Sequence, residues 1–203
     1  MTLTAVLFVG GESRRMGADK AVLVLNGAPL WARQLGVLRE LNPEMILISA
    51  RTKPAWCPRE MEVVLDESPS RGPLSGLAAA LKKIQTTHLL ALAVDLPRMN
   101  AGHLWRLWKL ARRECGALPS IDGELEPLCA IYPGGETVIA TAERALSGTD
   151  FSLRSFASVL VRRKGLMVLP LADAEKKCHL NLNTPDDLAA ADRTAKPWAS
   201  DGA

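Results

Sequence analysis

The sequence predicts an α/β domain whose mainly parallel sheet is covered by helices on both faces. Short apolar runs, typical of strands buried on both faces, alternate with longer segments that carry an apolar stripe at helical spacing. Several of the apolar runs end in Gly or Asp, as strands do where they enter a loop. Because strand–helix–strand units with right-handed crossovers place helices on both sides of a sheet, we expect a three-layer α/β/α architecture.

The predicted strands are runs rich in Leu, Val, Ile and Ala. The first covers residues 3–9 and ends at Gly10 and Gly11, and the most continuous one, residues 88–94, ends at Asp95. The other predicted strands are residues 45–50, 62–65, 117–121, 128–132 and 166–171. The two strands around the turn at Asp122 and Gly123 are expected to form a small β-rich lobe on the same domain.

The predicted helices show apolar residues at intervals of three and four. They cover residues 29–41, 73–84, 101–113, 137–146, 152–160 and 184–192. The last begins with Thr184 at the N-cap and Pro185 at the first helical position. No linker interrupts the series, so residues 1–195 are expected to form a single domain, followed by a disordered tail at 196–203.

Composition excludes several classes of function. The 203 residues include 25 Lys and Arg against 22 Asp and Glu, a net charge of +3, and only 4% are aromatic. This balance demands no nucleic-acid partner and supplies few side chains for stacking on bases. No apolar stretch approaches the roughly 18 residues that a membrane-spanning helix needs. A cytoplasmic protein without membrane or nucleic-acid partners is expected.

The four cysteines and three histidines show no ligand spacing. The cysteines are dispersed and form no C-x-x-C, which predicts buried, unreactive thiols rather than a zinc site or a disulfide framework. The histidines, His88, His103 and His179, are expected to be surface or core residues rather than catalytic ones.

A glycine-rich loop after the first strand is the strongest candidate for an anion site. Residues 10–20 read GGESRRMGADK, so main-chain N–H groups can approach an anion closely where side chains are absent. Arg15 and Lys20 can neutralise phosphate oxygens, whereas Arg14 is expected to be an exposed surface residue. The loop matches neither the Walker A nor the dinucleotide-binding pattern.

Two carboxylates follow predicted strands. Asp95 comes directly after the most apolar strand, where packing does not explain it, and Mg²⁺ binds through one or two carboxylates together with substrate phosphates. Asp95 is therefore the predicted metal ligand, with helix capping as the alternative. Asp66 follows another strand and could accept hydrogen bonds from a base or a sugar, although the turn at Gly72 and Pro73 equally indicates a simple helix entry.

A final motif, NLNTPDDL at residues 181–188, precedes the last helix. Strand-like alternation places Asn181 and Asn183 on one face, and Thr184 serves as a helix cap. Capping alone is one explanation of this segment, but two amides facing the same way suggest a binding role.

Taken together, these segments resemble the molybdenum cofactor guanylyltransferases, the MobA-like nucleotidyltransferases. Residues 7–20, LFVGGESRRMGADK, are similar to the family's L-A-G-G-x-S-x-R-M-G-x-D-K loop. In order along the chain, RGPLSG (71–76) resembles its G-P-L-A-G turn, VDLP (94–97) its D-x-P metal motif, EPLCAIY (126–132) its P-L-x-A-L-Y strand, and NLNTPDDL its N-x-N-T-P-E-D-L.

The resemblance implies a Rossmann-like nucleotidyltransferase fold and the transfer of GMP from GTP to the phosphate of molybdopterin, with or without molybdenum, with release of pyrophosphate. It implies Mg²⁺ as the cofactor and transient contacts with a molybdenum-insertion protein and apo-molybdoenzymes. By position it implies catalytic roles for Arg15, Lys20 and Asp95. The nucleotide would be bound by Phe8, Val9, Gly10, Gly11, Lys20, Asp66, Gly72 and Asp95, the metal by Asp95, and the pterin side by Asn181 and Asn183.

Other functions remain open at this point. The same fold could use CTP with molybdopterin, or a sugar or polyol phosphate as acceptor. An Asp rather than a Pro precedes Lys20, which favours the guanylyl over the cytidylyl branch of the family. A non-catalytic carrier module that binds a nucleotide is the third alternative, and the combination of Arg15, Lys20 and Asp95 argues against it.

Overall fold

The computed structural model describes residues 1–10, 19–66, 70–182 and 184–192, which form one large sheet, a short ribbon and helices on both faces of the sheet. The strands are β1 (Leu3–Phe8), β2 (Val24–Leu25), β3 (Ala28–Pro29), β4 (Met45–Ala50), β5 (Glu62–Leu65), β6 (His88–Ala93), β7 (Gly116–Ile121), β8 (Glu124–Leu125), β9 (Cys129–Pro133) and β10 (Leu166–Pro170). The α-helices are α1 (Leu30–Arg39), α2 (Pro73–Lys83), α3 (Ala101–Leu110), α4 (Glu136–Leu146), α5 (Leu153–Arg162), α6 (Asp173–Lys176) and α7 (Pro185–Asp192).

The predicted α/β class with a mainly parallel sheet is confirmed. The strand order is β10-β7-β9-β6-β1-β4-β5, with β8 paired to β7. Within this sheet, all pairs are parallel except those of β9 with β6 and β7, and of β8 with β7. From β1 the chain winds outward through β4 and β5, and then returns to place β6 on the other side of β1. The boundary between β1 and β6 is therefore a topological switch point, where α/β sheets form ligand crevices.

Alternation along the central strand builds the two interior layers. In β1, Ala5 and Leu7 pack with α1 and α3 on one face, and Val6 and Phe8 pack with α2 and α5 on the other. All four residues are buried, because each face of a central strand is covered by a helical layer. This arrangement leaves only the strand ends open to ligands.

The segment between residues 117 and 132 does not form a β-rich lobe of its own, contrary to the sequence-based expectation. Its two longer strands join the main sheet, since β9 pairs with β6 from Leu92 opposite Cys129 to His88 opposite Pro133, and β7 pairs with β9. Burying both apolar strands inside the sheet covers more apolar surface than a separate hairpin could cover, which explains the difference.

Short elements were not predicted. The ribbon of β2 and β3, the single-turn helix α6 and the 3₁₀ segments Lys20–Val22 and Lys177–His179 span too few residues to show a period. The last predicted helix is present as α7, and the tail predicted to be disordered lies outside the described residues. Among those described, no helix has the length and apolarity required to cross a membrane.

His88 begins the central strand β6 and is fully buried. Its Nε2 lies 2.8 Å from the carbonyl oxygen of Arg112, which can only accept, so Nε2 donates this hydrogen bond. Burial lowers the pKa of His88 below its ordinary value of 6.5, although hydrogen bonds to the backbone of Arg112 and Cys115 partly oppose this change. His88 therefore binds a proton less readily in the folded protein than in the unfolded chain.

This pKa shift predicts acid-sensitive stability. The free energy of unfolding should be nearly constant well above pH 6.5 and should fall as the pH drops below this value, because the unfolded state binds more protons. In His88→Gln, which keeps a donor for Arg112 but does not titrate, the loss between about pH 8 and about pH 5 should be smaller. Urea unfolding at several pH values measures the free energy of unfolding of both proteins. Parallel pH profiles for the two proteins would contradict the prediction.

Candidate active site

The carboxyl ends of the central strands meet at one edge of the sheet, where main-chain hydrogen bonds extend the pairing beyond the strands. Val94 N donates to Phe8 O at 3.0 Å, joining the ends of β6 and β1. Val9 N donates to Ser49 O at 3.1 Å, joining β1 to β4. Phe8 and Val9 are therefore held on both sides, and Gly10 follows them into the loop.

An ion pair spans the switch point. Lys20 Nζ, from the segment after β1, lies 3.0 Å from Asp95 Oδ2, from the segment after β6. The two side chains are only 16% and 24% exposed, so solvent screens their attraction less than it would at a fully exposed site. The structure thus brings together two residues that are 75 positions apart and that the sequence proposed independently for phosphate and metal binding.

Local structure fixes both members of this pair. Asp19 caps the 3₁₀ segment that begins at Lys20: its Oδ1 accepts from Ala21 N at 2.9 Å, and its Oδ2 accepts from Trp56 Nε1 at 3.2 Å. On the other side, Asp95 O accepts from Leu182 N at 2.9 Å. Lysine and carboxylate are therefore presented from anchored backbone rather than from free loops.

A cavity of about 240 Å³ lies along the same edge of the sheet, at the ends of β1, β4 and β5. Its lining includes Phe8, Ser49, Arg51, Asp66 and Gly72. The volume is below the roughly 300–1,000 Å³ of pockets that enclose a whole drug-sized ligand. It therefore suits one part of a nucleotide, with the remainder lying across the strand ends.

Gly76, in the first turns of α2, keeps this cavity open. A Cβ atom at this position would lie 2.2 Å from Ser49 Oγ, 3.0 Å from Asp66 Oδ1 and 3.2 Å from Phe8 Cε1. Any side chain here would displace residues of the cavity wall. The absence of a side chain is thus what allows α2 to approach the strand ends so closely.

Asp66 lies in the cavity wall, and Gly72 forms the helix entry that the sequence offered as the alternative explanation of this segment. Ser70 Oγ donates to Asp66 Oδ2 at 2.5 Å, which orients the carboxylate at the cavity wall. Gly72 has a φ of 77° immediately before Pro73, the first residue of α2, so this turn is also a helix entry. The positive φ explains the glycine, because other residues adopt such a backbone only at a cost.

The neighbouring Arg71 turns away from the cavity. Its guanidinium group lies 4.3 Å from the centre of the Phe151 ring and donates to the carbonyl oxygen of Leu146. Arg71 therefore fastens the entry of α2 to the end of α4.

The closing motif reaches the site through its backbone. Asn181 is exposed, and the next residue, Leu182, makes the main-chain hydrogen bond to Asp95. Thr184 and Asp187 cap α7 reciprocally, with Thr184 N donating to Asp187 Oδ2 and Asp187 N donating to Thr184 Oγ1. The predicted capping role of Thr184 is present, and Asn181 stands at the edge of the site.

Three predicted site residues, Gly11, Arg15 and Asn183, lie outside the described residues, as does Arg14. Their proposed roles therefore rest on the sequence motifs alone.

The structure adds residues that sequence reasoning missed. Ser49 is a buried polar residue near the end of an apolar strand, a signal that could have been noticed, whereas Arg51 has no distinctive sequence context. Gly76 closes the RGPLSG motif, but the motif predicts no role of its own for it. Glu126 is half-buried beside the site, and burial raises the pKa of its carboxyl group. Arg154 opposes that increase, while the charges of Glu124 and Asp95 add to it.

The arrangement suits a charged, phosphorylated ligand. A lysine amine and a carboxylate face each other at a switch point, on the same edge of the sheet as a cavity with a hydrogen-bonding wall. The positive charge of the lysine can neutralise phosphate oxygens. Carboxylate oxygens are the ligands that hard divalent cations prefer. Such a site can position and polarise phosphates without an acid–base residue.

Known proteins share this organisation. Residues 5–162 match the family model described as "MobA-like NTP transferase domain". A relative from Opitutus terrae, named "Probable molybdenum cofactor guanylyltransferase", is 39% identical over 188 residues, covering 91% of this chain and 92% of its own. A "Molybdenum cofactor guanylyltransferase" from Cereibacter sphaeroides is 34% identical, with 95% and 96% coverage.

The fold is shared with a solved structure as well. The chain is similar to molybdopterin-guanine dinucleotide biosynthesis protein A from Archaeoglobus fulgidus, with a TM-score of 0.69, 25% identity, and coverage of 94% of this chain and 97% of that one. The Rossmann-like nucleotidyltransferase fold implied by the sequence motifs is thereby confirmed. The matched domain includes the residues of the ion pair and of the cavity, and the chain belongs to the MobA-like NTP transferase family.

Proposed function

We propose that this protein transfers GMP from GTP to the terminal phosphate of molybdopterin, with or without molybdenum, and releases pyrophosphate. The observation that carries the proposal is the Lys20–Asp95 pair at the switch point, on the same edge of the sheet as a cavity that fits part of a nucleotide. The names of the two relatives, both guanylyltransferases of the molybdenum cofactor, support the choice of substrates.

The nucleotide would lie across the strand ends. Its base would enter the cavity, where the Asp66 carboxylate can accept hydrogen bonds from the N–H groups of guanine. Main-chain groups at Phe8, Val9 and Gly10 would approach it from the end of β1, and Gly72 from the entry of α2. Lys20 would turn from Asp95 to the triphosphate, with Arg15 and Gly11 contributing from the loop.

In the reaction, a phosphate oxygen of molybdopterin bonds to the α-phosphorus of GTP as the bond to the β-phosphate oxygen breaks. The attacking phosphate is already anionic, so no general base is required, and pyrophosphate carries away the negative charge. Lys20 stabilises the charge that develops on the phosphate oxygens. Asn181 and Asn183 would contact the pterin side, since the closing motif borders the same edge.

A divalent cation, which we propose is Mg²⁺, would complete the site. The donor set fits it: Asp95 presents a partly exposed carboxylate at the strand end, and Mg²⁺ takes one or two carboxylates plus substrate phosphates. When bound, the cation would neutralise phosphate charge. Asp95 would hold it, and the backbone bond from Leu182 would keep the residue in place.

The product would pass to apo-molybdoenzymes, after transient contact with a molybdenum-insertion protein, in the cytoplasm.

One assay separates the possible functions: pyrophosphate release with GTP or CTP, in the presence of molybdopterin and Mg²⁺. Release with GTP, dependent on molybdopterin, is the expected result. Release with CTP alone would overturn the choice of base. Release only with sugar or polyol phosphates would overturn the acceptor, and GTP binding without release would indicate a carrier module.

Asp95→Ala should reduce turnover by at least about 10²–10³-fold, because the variant loses the carboxylate that holds the cation. The circular dichroism spectrum and melting temperature should stay close to those of the wild type, since Asp95 contributes its side chain to the site and not to the core. Asp173→Ala, at an exposed position, is the control. Retained Mg²⁺-dependent turnover in Asp95→Ala would contradict the metal assignment.

Lys20→Ala should weaken GTP binding about 10-fold to 100-fold, as expected for the loss of a charge-assisted hydrogen bond. Titration calorimetry measures the affinity, and Lys109→Ala, an exposed lysine on α3, serves as the matched control. Equal affinity of wild type and Lys20→Ala would remove Lys20 from the phosphate site.

Gly76→Ala tests the cavity independently of charge. The added Cβ crowds Ser49 and Asp66, so GTP binding should weaken about 10-fold or more, as expected for displacement of the cavity wall. Gly102→Ala is the control, because a Cβ there would approach only Asn100 Oδ1, at 3.3 Å. If both variants bind GTP like the wild type, the base does not enter this cavity.

A further inference from the structure

A second group of chemistry-bearing side chains lies beneath the active-site edge. His103 on α3, Cys129 at the start of β9, and His179 after α6 are 7%, 1% and 5% exposed, and their potential ligand atoms all lie within 4.8 Å of one another. The Nε2 atoms of the two histidines are 2.9 Å apart. The three residues are far apart in sequence and come from three different elements.

Packing alone explains this group poorly. If the two imidazoles only share a hydrogen bond, one Nε2 donates and the other accepts, and each ring keeps a second nitrogen to satisfy. His179 Nδ1 is buried and has no hydrogen-bond partner among the described residues. An interior built only for packing would place apolar side chains at these positions.

The geometry matches a tetrahedral metal centre. Two imidazole nitrogens bound to one zinc ion at 2.0–2.1 Å lie about 3.3 Å apart, so the observed separation of 2.9 Å requires a shift of only a few tenths of an ångström. Imidazole nitrogen and cysteine sulfur are both zinc ligands, and three such donors leave the fourth tetrahedral position free for water or another ligand. Met99 Sδ, 4.0 Å from Cys129 Sγ, adds a soft thioether at the same place.

A carboxylate stands behind one of the rings. Glu175 Oε1 lies 3.8 Å from His103 Nδ1, and Arg106 holds the same carboxylate. Metal-binding histidines commonly donate from their second nitrogen to such a group, and at 3.8 Å this carboxylate is close to that position without forming the hydrogen bond. The other ring nitrogen, Nε2, faces the cluster and lies 2.9 Å from His179 Nε2.

We propose that His103, Cys129 and His179 bind one thiophilic transition-metal ion of the zinc type. On binding, the Cys129 thiol releases its proton to solvent and a sulfur–metal bond forms, while both imidazoles bind as neutral ligands. This site differs from the Mg²⁺ site at Asp95, because nitrogen and sulfur donors select softer ions than carboxylates do.

Such an ion would add metal–ligand bonds between three segments that otherwise meet through packing and a few polar contacts, such as the Arg106–Glu175 ion pair. It would connect α3 and β9 to the segment that runs from His179 to Asn181 and Leu182, whose main chain contacts Asp95. The ion would therefore hold the acceptor side of the site in place without touching the nucleotide.

The test uses the full chain, reduced and freed of metal, titrated with Co²⁺ alone in the absence of nucleotide. Binding at the proposed site gives a thiolate-to-cobalt charge-transfer band that saturates at one equivalent, is abolished by Zn²⁺ and survives a large excess of Mg²⁺. Co²⁺ at the Asp95 carboxylate would give no such band. The readout is therefore independent of whether the protein transfers GMP.

Variants assign the ligands. In Cys129→Ser the band should be absent, and the affinity for Zn²⁺ should fall by up to about 100-fold. Cys115→Ser removes a thiol outside the group and should behave like the wild type. Zn²⁺ should also protect the amides of residues 177–182 from hydrogen exchange in the wild type. No band in the wild type would overturn the proposal, even if Cys129→Ser fails to fold. A band that persists in folded Cys129→Ser would overturn it too.

Discussion

The contact between Lys20 and Asp95 is the constraint on which the site depends. It joins the segments that follow β1 and β6, two neighbouring strands whose connections leave in opposite directions, so the crevice between them is flanked by opposite charges. In the ligand-free protein each charge compensates the other, which keeps a partly buried carboxylate from standing alone. In the proposed function, a phosphorylated ligand with its cation would replace both partners at once: the amine would turn to phosphate and the carboxylate to metal.

The proposed nucleotide side of the site is formed largely by backbone, at positions where glycine leaves room that a side chain would fill. The cavity exists because Gly76 lets α2 approach Ser49 and Asp66, and because the turn at Gly72 adopts a positive φ before the helix begins. Few side chains need to move for such a site to bind its ligand, so little conformational entropy is lost on binding. The adjacent Arg71 supports the same turn from outside by contacting Phe151 and the end of α4.

Much of this could be predicted from the sequence, and the exceptions have physical causes. Continuous apolar runs located the inner strand β4 to the residue, and also the edge strand β5, which is buried only in part. Asp95 stood out because a carboxylate directly after such a run has no packing purpose. The pairing of β9 could not be predicted in this way, since the partner of an apolar strand depends on tertiary contacts. Ser49 and Gly76 meet only across two elements, and His103, Cys129 and His179 share no spacing, so no local pattern reveals either group.

The reversed direction of β9 has a consequence for how the two halves of the site can change. Parallel strands deliver residues to the open edge as the chain leaves the sheet, whereas β9 delivers Glu126 and its neighbours as the chain enters it. The proposed nucleotide half thus comes from exit loops of β1, β4, β5 and β6, and the opposite half from an entry loop and the segment after β10. Substitutions or insertions in the entry loop of β9 or after β10 do not change the register of the strands whose exit loops form the proposed nucleotide half. The acceptor half could therefore change while the proposed nucleotide half stays the same.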